Sequence, residues 1–341
     1  VSARDGADEI PPPRETQVLF GHAEAEQAFL DAYRTGRMPH AWLIGGPRGI
    51  GKATLAYRMA RFVLAHPDPA AAAVQNAASL ALEADHRVAR RIAAQGHTDL
   101  LVIERTVGDG EKLRAQIAVD DVRRTIGFFG STAGEGGWRV CIVDAADELN
   151  AAGANALLKI LEEPPEKSLL IVVSHAPGRL LPTIRSRCRR LALRPLSRED
   201  VAWAVSAAVG REASGPDLER AAAVADGSVA RAIELLGGKA LEVREKVSAL
   251  LAALPAVDPR ALHALGDALG RDENSFAAFV DTVRDWLSAR LSGREPAGRL
   301  VQVAEVWERL NRAARDVEVF NLERKPFVFN VFGWLAEASR G

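Results

Sequence analysis

Residues Gly46-Pro47-Arg48-Gly49-Ile50-Gly51-Lys52 constrain this chain more than any other stretch. They follow the pattern G-x-x-x-x-G-K. Glycines at that spacing let backbone N–H groups wrap an anion, and the lysine reaches over it. The apolar run Ala41-Trp42-Leu43-Ile44 precedes the loop, and a helical pattern with Leu55, Met59, Phe62 and Val63 on one face follows it. A strand, a glycine-rich loop and a helix in that order favour a phosphate cradle over a plain strand-to-helix turn. Gly46, Gly49, Gly51 and Lys52 are therefore the candidate phosphate ligands.

Two parts of the usual machinery are missing. The position after the lysine normally carries a Ser or Thr whose hydroxyl ligates the magnesium of a bound nucleotide; here it is Ala53. Thr54 comes one residue late, which on a helix turns it about 100° away. Downstream, Val140-Cys141-Ile142-Val143 ends in Asp144, where a second nucleotide-binding motif would end. The next residue, normally the Glu that polarises the attacking water, is Ala145. Asp144 suits either a magnesium-bound water or a structural role at a strand end, and the sequence leaves both open. Asp147 and Glu148 read as acids at a helix start rather than as replacements for the missing Glu. A loop kept without two pieces of hydrolytic machinery suggests a nucleotide-binding fold reused for assembly or regulation.

Short apolar runs at 41–44, 100–103, 139–143, 169–173 and 191–193 alternate with helical patterns. This is the signature of strands buried on both faces of a parallel sheet, hence a doubly wound α/β domain. Ala154, Leu157, Leu158 and Leu161 form a helical stripe that Pro164-Pro165 stops. After Pro195 no strand pattern remains. Ser197 is placed to cap a helix that begins with acids, and Gly227 interrupts the helical pattern over 197–237. Beyond about residue 240 a second helical domain runs on, with amphipathic stripes at Val243/Val247/Leu250/Leu251/Leu254, Phe276/Phe279/Val280/Val283/Trp286/Leu287 and Val303/Val306/Trp307/Leu310. Pro255, Pro259, Gly293 and Pro296 mark connections.

At 341 residues the chain should form two or three domains, and 48% hydrophobic with 26% charged residues is an ordinary globular composition. A net charge of -1 confines any nucleic-acid contact to local patches. Cys141 and Cys188 read as small buried residues of a reducing compartment. His66, His86 and His97, with no cysteine near them, predict no zinc or other metal site. No apolar run reaches the roughly 18 residues of a membrane span, and no secretory leader is recognisable, so a cytoplasmic protein is expected.

Several motifs then occur in a telling order: Gly21-His22, Gly36-Arg37-Met38-Pro39-His40-Ala41, the loop, Asn155-Ala156-Leu157-Leu158-Lys159-Ile160-Leu161-Glu162-Glu163-Pro164-Pro165, Leu181-Pro182-Thr183-Ile184-Arg185-Ser186-Arg187-Cys188 and Pro195-Leu196-Ser197. The chain resembles the bacterial clamp-loader branch of the AAA+ ATPases over roughly residues 18–235, and more loosely beyond. Pro11-Pro12-Pro13 and the lack of periodicity make 1–17 a disordered lead-in, and the resemblance implies an α/β AAA+ P-loop domain over 18–195, a parallel sheet with helices on both faces. A small helical lid domain over 196–238 and an all-α collar domain over 239–341 would follow.

The resemblance also implies a ring that opens a sliding clamp and places it on primed DNA. The partners would be gamma/tau ATPase subunits and a delta subunit, with clamp and primer-template DNA reached through the complex and no membrane involved. Ala53 and Ala145, with Ser174-His175 in place of a sensor Thr and Arg231 three residues after Ser228, point to a member without ATPase activity. Arg187 of the Ser-Arg-Cys triplet would be an arginine finger, supplied in trans to a neighbour's ATP site. No cofactor is required on this reading. ATP or ADP binding without hydrolysis stays open, through Gly46, Gly49, Gly51, Lys52, Ala53, Thr54 and Asp144. The alternatives are an active gamma/tau-like ATPase with atypical ligands, and a P-loop interaction module outside replication.

Overall fold

The computed structural model describes residues 10–106, 114, 116–131, 133–134, 137–209, 215–236, 239–270, 272–292 and 297–340. The expected markers Gly293 and Pro296, and residues 1–9 of the expected lead-in, lie outside them. The described chain forms two compact units, residues 1–215 with 226–230, and residues 216–225 with 231–341. The expected lid segment, 196–238, is thus shared between the two.

The first unit carries α1 (Ala23–Arg34), β1 (Ala41–Gly45), α2 (Lys52–Ala65), α3 (Ala72–Gln75), α4 (Arg87–Ala93), β2 (Leu100–Glu104), α5 (Val119–Gly130), β3 (Arg139–Asp144), α6 (Ala151–Glu162), β4 (Ser168–Ser174), α7 (Pro182–Arg187), β5 (Arg189–Ala192) and α8 (Arg198–Val209). The strands pair in parallel in the order β2-β3-β4-β1-β5. All five strand runs read from the sequence are strands, with β5 beginning two residues earlier than expected.

Side-chain alternation splits the strands between two cores. Trp42, Ile44, Val140, Ile142, Leu169, Ile171 and Val173 pack with Phe29, Leu30, Leu55, Met59 and Phe62 of α1 and α2. Leu43, Leu101, Ile103, Cys141, Val143, Leu170 and Val172 pack on the other face with Val122, Phe129, Leu157, Leu161 and Ile184 of α5, α6 and α7. Helices therefore cover both faces, and the central strands β3, β4 and β1 are apolar on both sides because neither side meets water, whereas edge strand β5 carries the exposed Arg189 and Arg190. Burial pushes the Cys141 thiol up, and Cys188 is pushed up to about 12 by the same cause. Both are free thiols in the core.

Residues 10–17 are held in place. The buried Arg61 guanidinium donates to the carbonyls of Arg14 at 3.0 Å and Thr16 at 2.7 Å. Arg58 donates to Gln17 and pairs with Glu26 at 2.6 Å. At the start of α8, the Ser197 hydroxyl accepts from the Asp200 amide at 3.0 Å, so it caps the helix as its position suggests.

The second unit is helical among the described residues: α9 (Pro216–Val224), α10 (Val229–Leu235, whose first two residues belong to the first unit), α11 (Lys239–Ala252), α12 (Pro259–Leu269), α13 (Glu273–Ser292), α14 (Ala297–Phe320) and α15 (Arg324–Arg340). The three apolar stripes read from the sequence meet in one core, joined by Phe327, Val328, Val331, Phe332 and Leu335 of α15. A buried Arg244 joins α9, α11 and α13, donating to the Val224 carbonyl at 2.7 Å and to Asp285 at 3.1 Å, while Arg231 also pairs with Asp285 at 2.9 Å. None of the helices is long and apolar enough to cross a membrane among the described residues.

Candidate phosphate-binding site

The register Gly45↔Ser174 and Glu104↔Asp144 aligns the carboxyl ends of β1 with β4 and of β2 with β3. β4 lies between β1 and β3, so the loop after β1, Ser174-His175 and Asp144 gather at one edge of the sheet. That is where open α/β sheets bind ligands.

Three glycines shape the loop. Gly46 has φ +153°, and a Cβ there would stand 2.5 Å from the Leu193 carbonyl oxygen. Gly49 has φ +73°, and its carbonyl accepts from the Val229 amide at 2.8 Å. Gly51 caps α2 in the left-handed conformation at φ +98°. The first N–H groups of α2 then have no partner within the helix, which is what an anion needs. His22 supports the loop from below: its Nε2 lies 2.6 Å from the Ile50 carbonyl oxygen. A carbonyl only accepts, so Nε2 carries the proton, and burial lowers the pKa of this ring.

Lys52 is buried and donates to the carbonyls of Gly46, at 2.8 Å, and Pro47. An ammonium has three donors, so this geometry leaves one for an anion. Burial lowers the Lys52 pKa to about 8, against the attraction of Asp144 and Asp147. Asp144 moves the opposite way, up to about 6, because burial and the neighbouring Glu104 outweigh Lys52. With a pKa of about 6 the carboxyl is still mostly ionised at neutral pH and loses its charge as pH falls through that value.

Ala53 and Thr54 both stand in the first turn of α2, where successive positions differ in direction by about 100°. Ala145 is buried at 2% exposure, and its methyl group has no proton to take or give. The acids beyond it are committed elsewhere. Asp147 accepts from the Ser174 hydroxyl at 3.0 Å, the His175 amide at 2.5 Å and the Ala176 amide at 2.9 Å. Glu148 pairs with Arg105 at 2.8 Å and with Arg48 of the loop at 3.5 Å. His175 is held neutral, its pKa lowered to about 4 by burial and by Lys52 and Arg48.

Arg187 stands apart from this edge. It ends α7, and only Cys188 separates it from β5, whose Arg189 is in register with Trp42 near the start of β1. The phosphate loop follows the other end of β1. Four strand steps of about 3.3 Å put at least roughly 13 Å of strand between them, so Arg187 does not serve its own loop. The side chain is 37% exposed and pairs with Glu162 at 3.1 Å. Arg189 lies over the Trp42 ring at 5.1 Å, a stacking role its place in an arginine run did not reveal. Among the described residues no group of three or more His, Cys, Asp or Glu is placed to hold a metal ion.

A family model described as DNA polymerase III, delta subunit, matches residues 21–197. The chain belongs to this family. The delta' subunit of DNA polymerase III from Pseudomonas aeruginosa is 37% identical over 209 residues, which is 61% of this chain and 59% of that protein. The delta' subunit from Escherichia coli K12 is 31% identical over 229 residues, 66% of this chain and 63% of its own. A gamma/tau subunit from Mycobacterium tuberculosis H37Rv is 36% identical over 172 residues, 49% of this chain and 26% of its own. The chain thus spans less than two thirds of the length of these curated relatives. The family is that of the DNA polymerase III clamp-loader subunits, and the fold is a parallel α/β sheet with a glycine-rich loop after its first strand.

Proposed function

We propose that the chain is a delta'-type, non-hydrolysing ring member of a bacterial DNA polymerase III clamp loader. In that role it works in the cytoplasm with gamma/tau and delta subunits to place a sliding clamp on primed DNA. The carrying observation is a phosphate loop with its backbone and Lys52 in place, beside alanines at both positions that hydrolysis needs. A nucleotide phosphate fits this cradle: Gly46, Gly49 and Gly51 keep the backbone close, and Lys52 has a donor to spare. A magnesium ion fits less well, because Ala53 offers no side-chain hydroxyl. Bound nucleotide would supply anionic charge at the start of α2, and Thr54 would lie beside it without serving as the metal ligand.

Arg187, exposed and a strand length from its own loop, is suited to act in a neighbour's ATP site. A permanently charged, planar guanidinium matches phosphate oxygens there. We read residues 196–238 as the lid and 239–341 as the collar that holds the ring. Val319, Phe320 and Leu322 are 73%, 67% and 50% exposed at the end of α14 and just after it, as a face that meets another subunit would be. Two measurements on purified protein test the reading together. The chain alone should release no phosphate above background, and co-expression with gamma/tau and delta should give one assembly by native mass measurement. Steady phosphate release abolished by Lys52→Ala, or failure to join the assembly, would contradict it.

A further inference from the structure

Glu162 occupies an electrostatically poor place. It is the last residue of α6, where the helix dipole disfavours an anion. Its carboxylate is not left there alone: Oε1 lies 3.1 Å from Nη2 of Arg187, which is itself the last residue of α7. The other guanidinium nitrogen, Nη1, approaches the Thr183 carbonyl at 3.5 Å, the outer limit of a hydrogen bond. The two side chains are 48% and 37% exposed, so the pair adds little to stability. What such a pair does supply is direction. A free arginine samples many rotamers, whereas one oriented by a carboxylate presents its remaining N–H groups from a restricted place.

We propose that Glu162 is the positioning residue for Arg187. It holds Nη2 and leaves the weakly engaged Nη1 for phosphate oxygens of a neighbouring subunit. The inference rests on the reading of Arg187 as a finger. It explains why an acid stands at a helix end that would favour a base. It also assigns a task to the Glu162-Glu163-Pro164-Pro165 stretch beyond stopping α6: the two prolines end the helix, and the first acid lands where α7 delivers its arginine.

The test is a two-by-two comparison in the full reconstituted ring: the natural chain, Glu162→Gln, Arg187→Ala and the double variant. DNA-and-clamp-stimulated ATPase is measured, with assembly followed by native mass. Glu162→Gln removes an anion from a helix C-terminus and so does not threaten the fold. We expect it to lower the ring's kcat by roughly tenfold, within the roughly hundredfold that a 1 Å misplacement can cost, with assembly unchanged. In the Arg187→Ala background it should cost nothing further. An unchanged or increased kcat for Glu162→Gln would overturn the proposal, as would an equal loss in the Arg187→Ala background, because Glu162 would then act elsewhere. If Arg187→Ala itself left the rate intact, the finger reading would fail and the positioning role would fall with it.

Discussion

Asp147 should be the most damaging single carboxylate to remove beside the phosphate loop. Its two oxygens take the Ser174 hydroxyl and the amides of His175 and Ala176, fixing the corner where β4 ends. That corner abuts the loop, because the Ser174 carbonyl accepts from the Gly46 amide at 3.3 Å. Hydrogen bonds to a charged acceptor are worth about 1.5–3 kcal/mol each, less where water can substitute. Asp147 is half-buried, and Asp147→Ala strands two backbone amides, so a net local cost of roughly 2–4 kcal/mol follows. At about 1.4 kcal/mol per tenfold, that is roughly a hundredfold loss of protection at the two amides. Hydrogen exchange read by mass spectrometry on peptides covering 168–181 measures it. Asp147→Asn, which keeps one acceptor oxygen, should lose roughly tenfold. Unchanged protection at 175–176 in Asp147→Ala would refute the reasoning, since those amides would then have another source of order.

Nucleotide affinity, measured with a fluorescent ATP or ADP analogue, should depend on Lys52 and only weakly on magnesium. Because the free Lys52 is cationic below about 8, affinity should be greatest at lower pH and fall as pH rises through and beyond that value; a flat profile from pH 7 to 10 would exclude Lys52 as the phosphate contact. Gly36 and Gly49 share left-handed backbones, at φ +66° and +73°, but a Cβ meets nothing within 4 Å at Gly36 and stands 2.2 Å from the Ser228 hydroxyl at Gly49. Gly36→Ala should therefore cost only about 1–2 kcal/mol in urea denaturation, and Gly49→Ala roughly 3 kcal/mol or more; equal losses would deny the close approach of residues 228–230 to the loop.

The strand runs, the phosphate loop and the helical stripes were legible because each is written locally, in the period of apolar residues or the spacing of glycines. Leu55, Met59 and Phe62 needed only a helical wheel to be placed in the core. The contacts that define the site's chemistry join residues far apart in sequence, and no local pattern encodes them. Asp147 reads as a helix-start acid, and it does lie in a short 3-10 turn, Ala146–Glu148, yet its main work is to bind residues 174–176. Glu148 pairs with arginines on two other loops. Arg61, by its position on the α2 face, gave no sign that it would be buried and hold Arg14 and Thr16. The stripe of α15, Phe327, Val328, Val331 and Phe332, also has a helical period, and Pro326 before it lies in the first turn, where helices tolerate proline.

The central claim is that this chain contributes to ATP hydrolysis only through a neighbour, by way of Arg187. The most direct measurement is the DNA-and-clamp-stimulated ATPase of a reconstituted ring carrying Arg187→Ala, beside Arg189→Ala and Arg190→Ala. A finger supplied in trans is worth roughly 10³–10⁵ in rate, so Arg187→Ala should cut the rate of the site it serves on that scale and leave assembly intact. Arg189, stacked on Trp42, and Arg190 should matter far less. Equal, small losses at all three positions, relieved by lower salt, would contradict the account and mark the cluster as contacts to nucleic-acid phosphate.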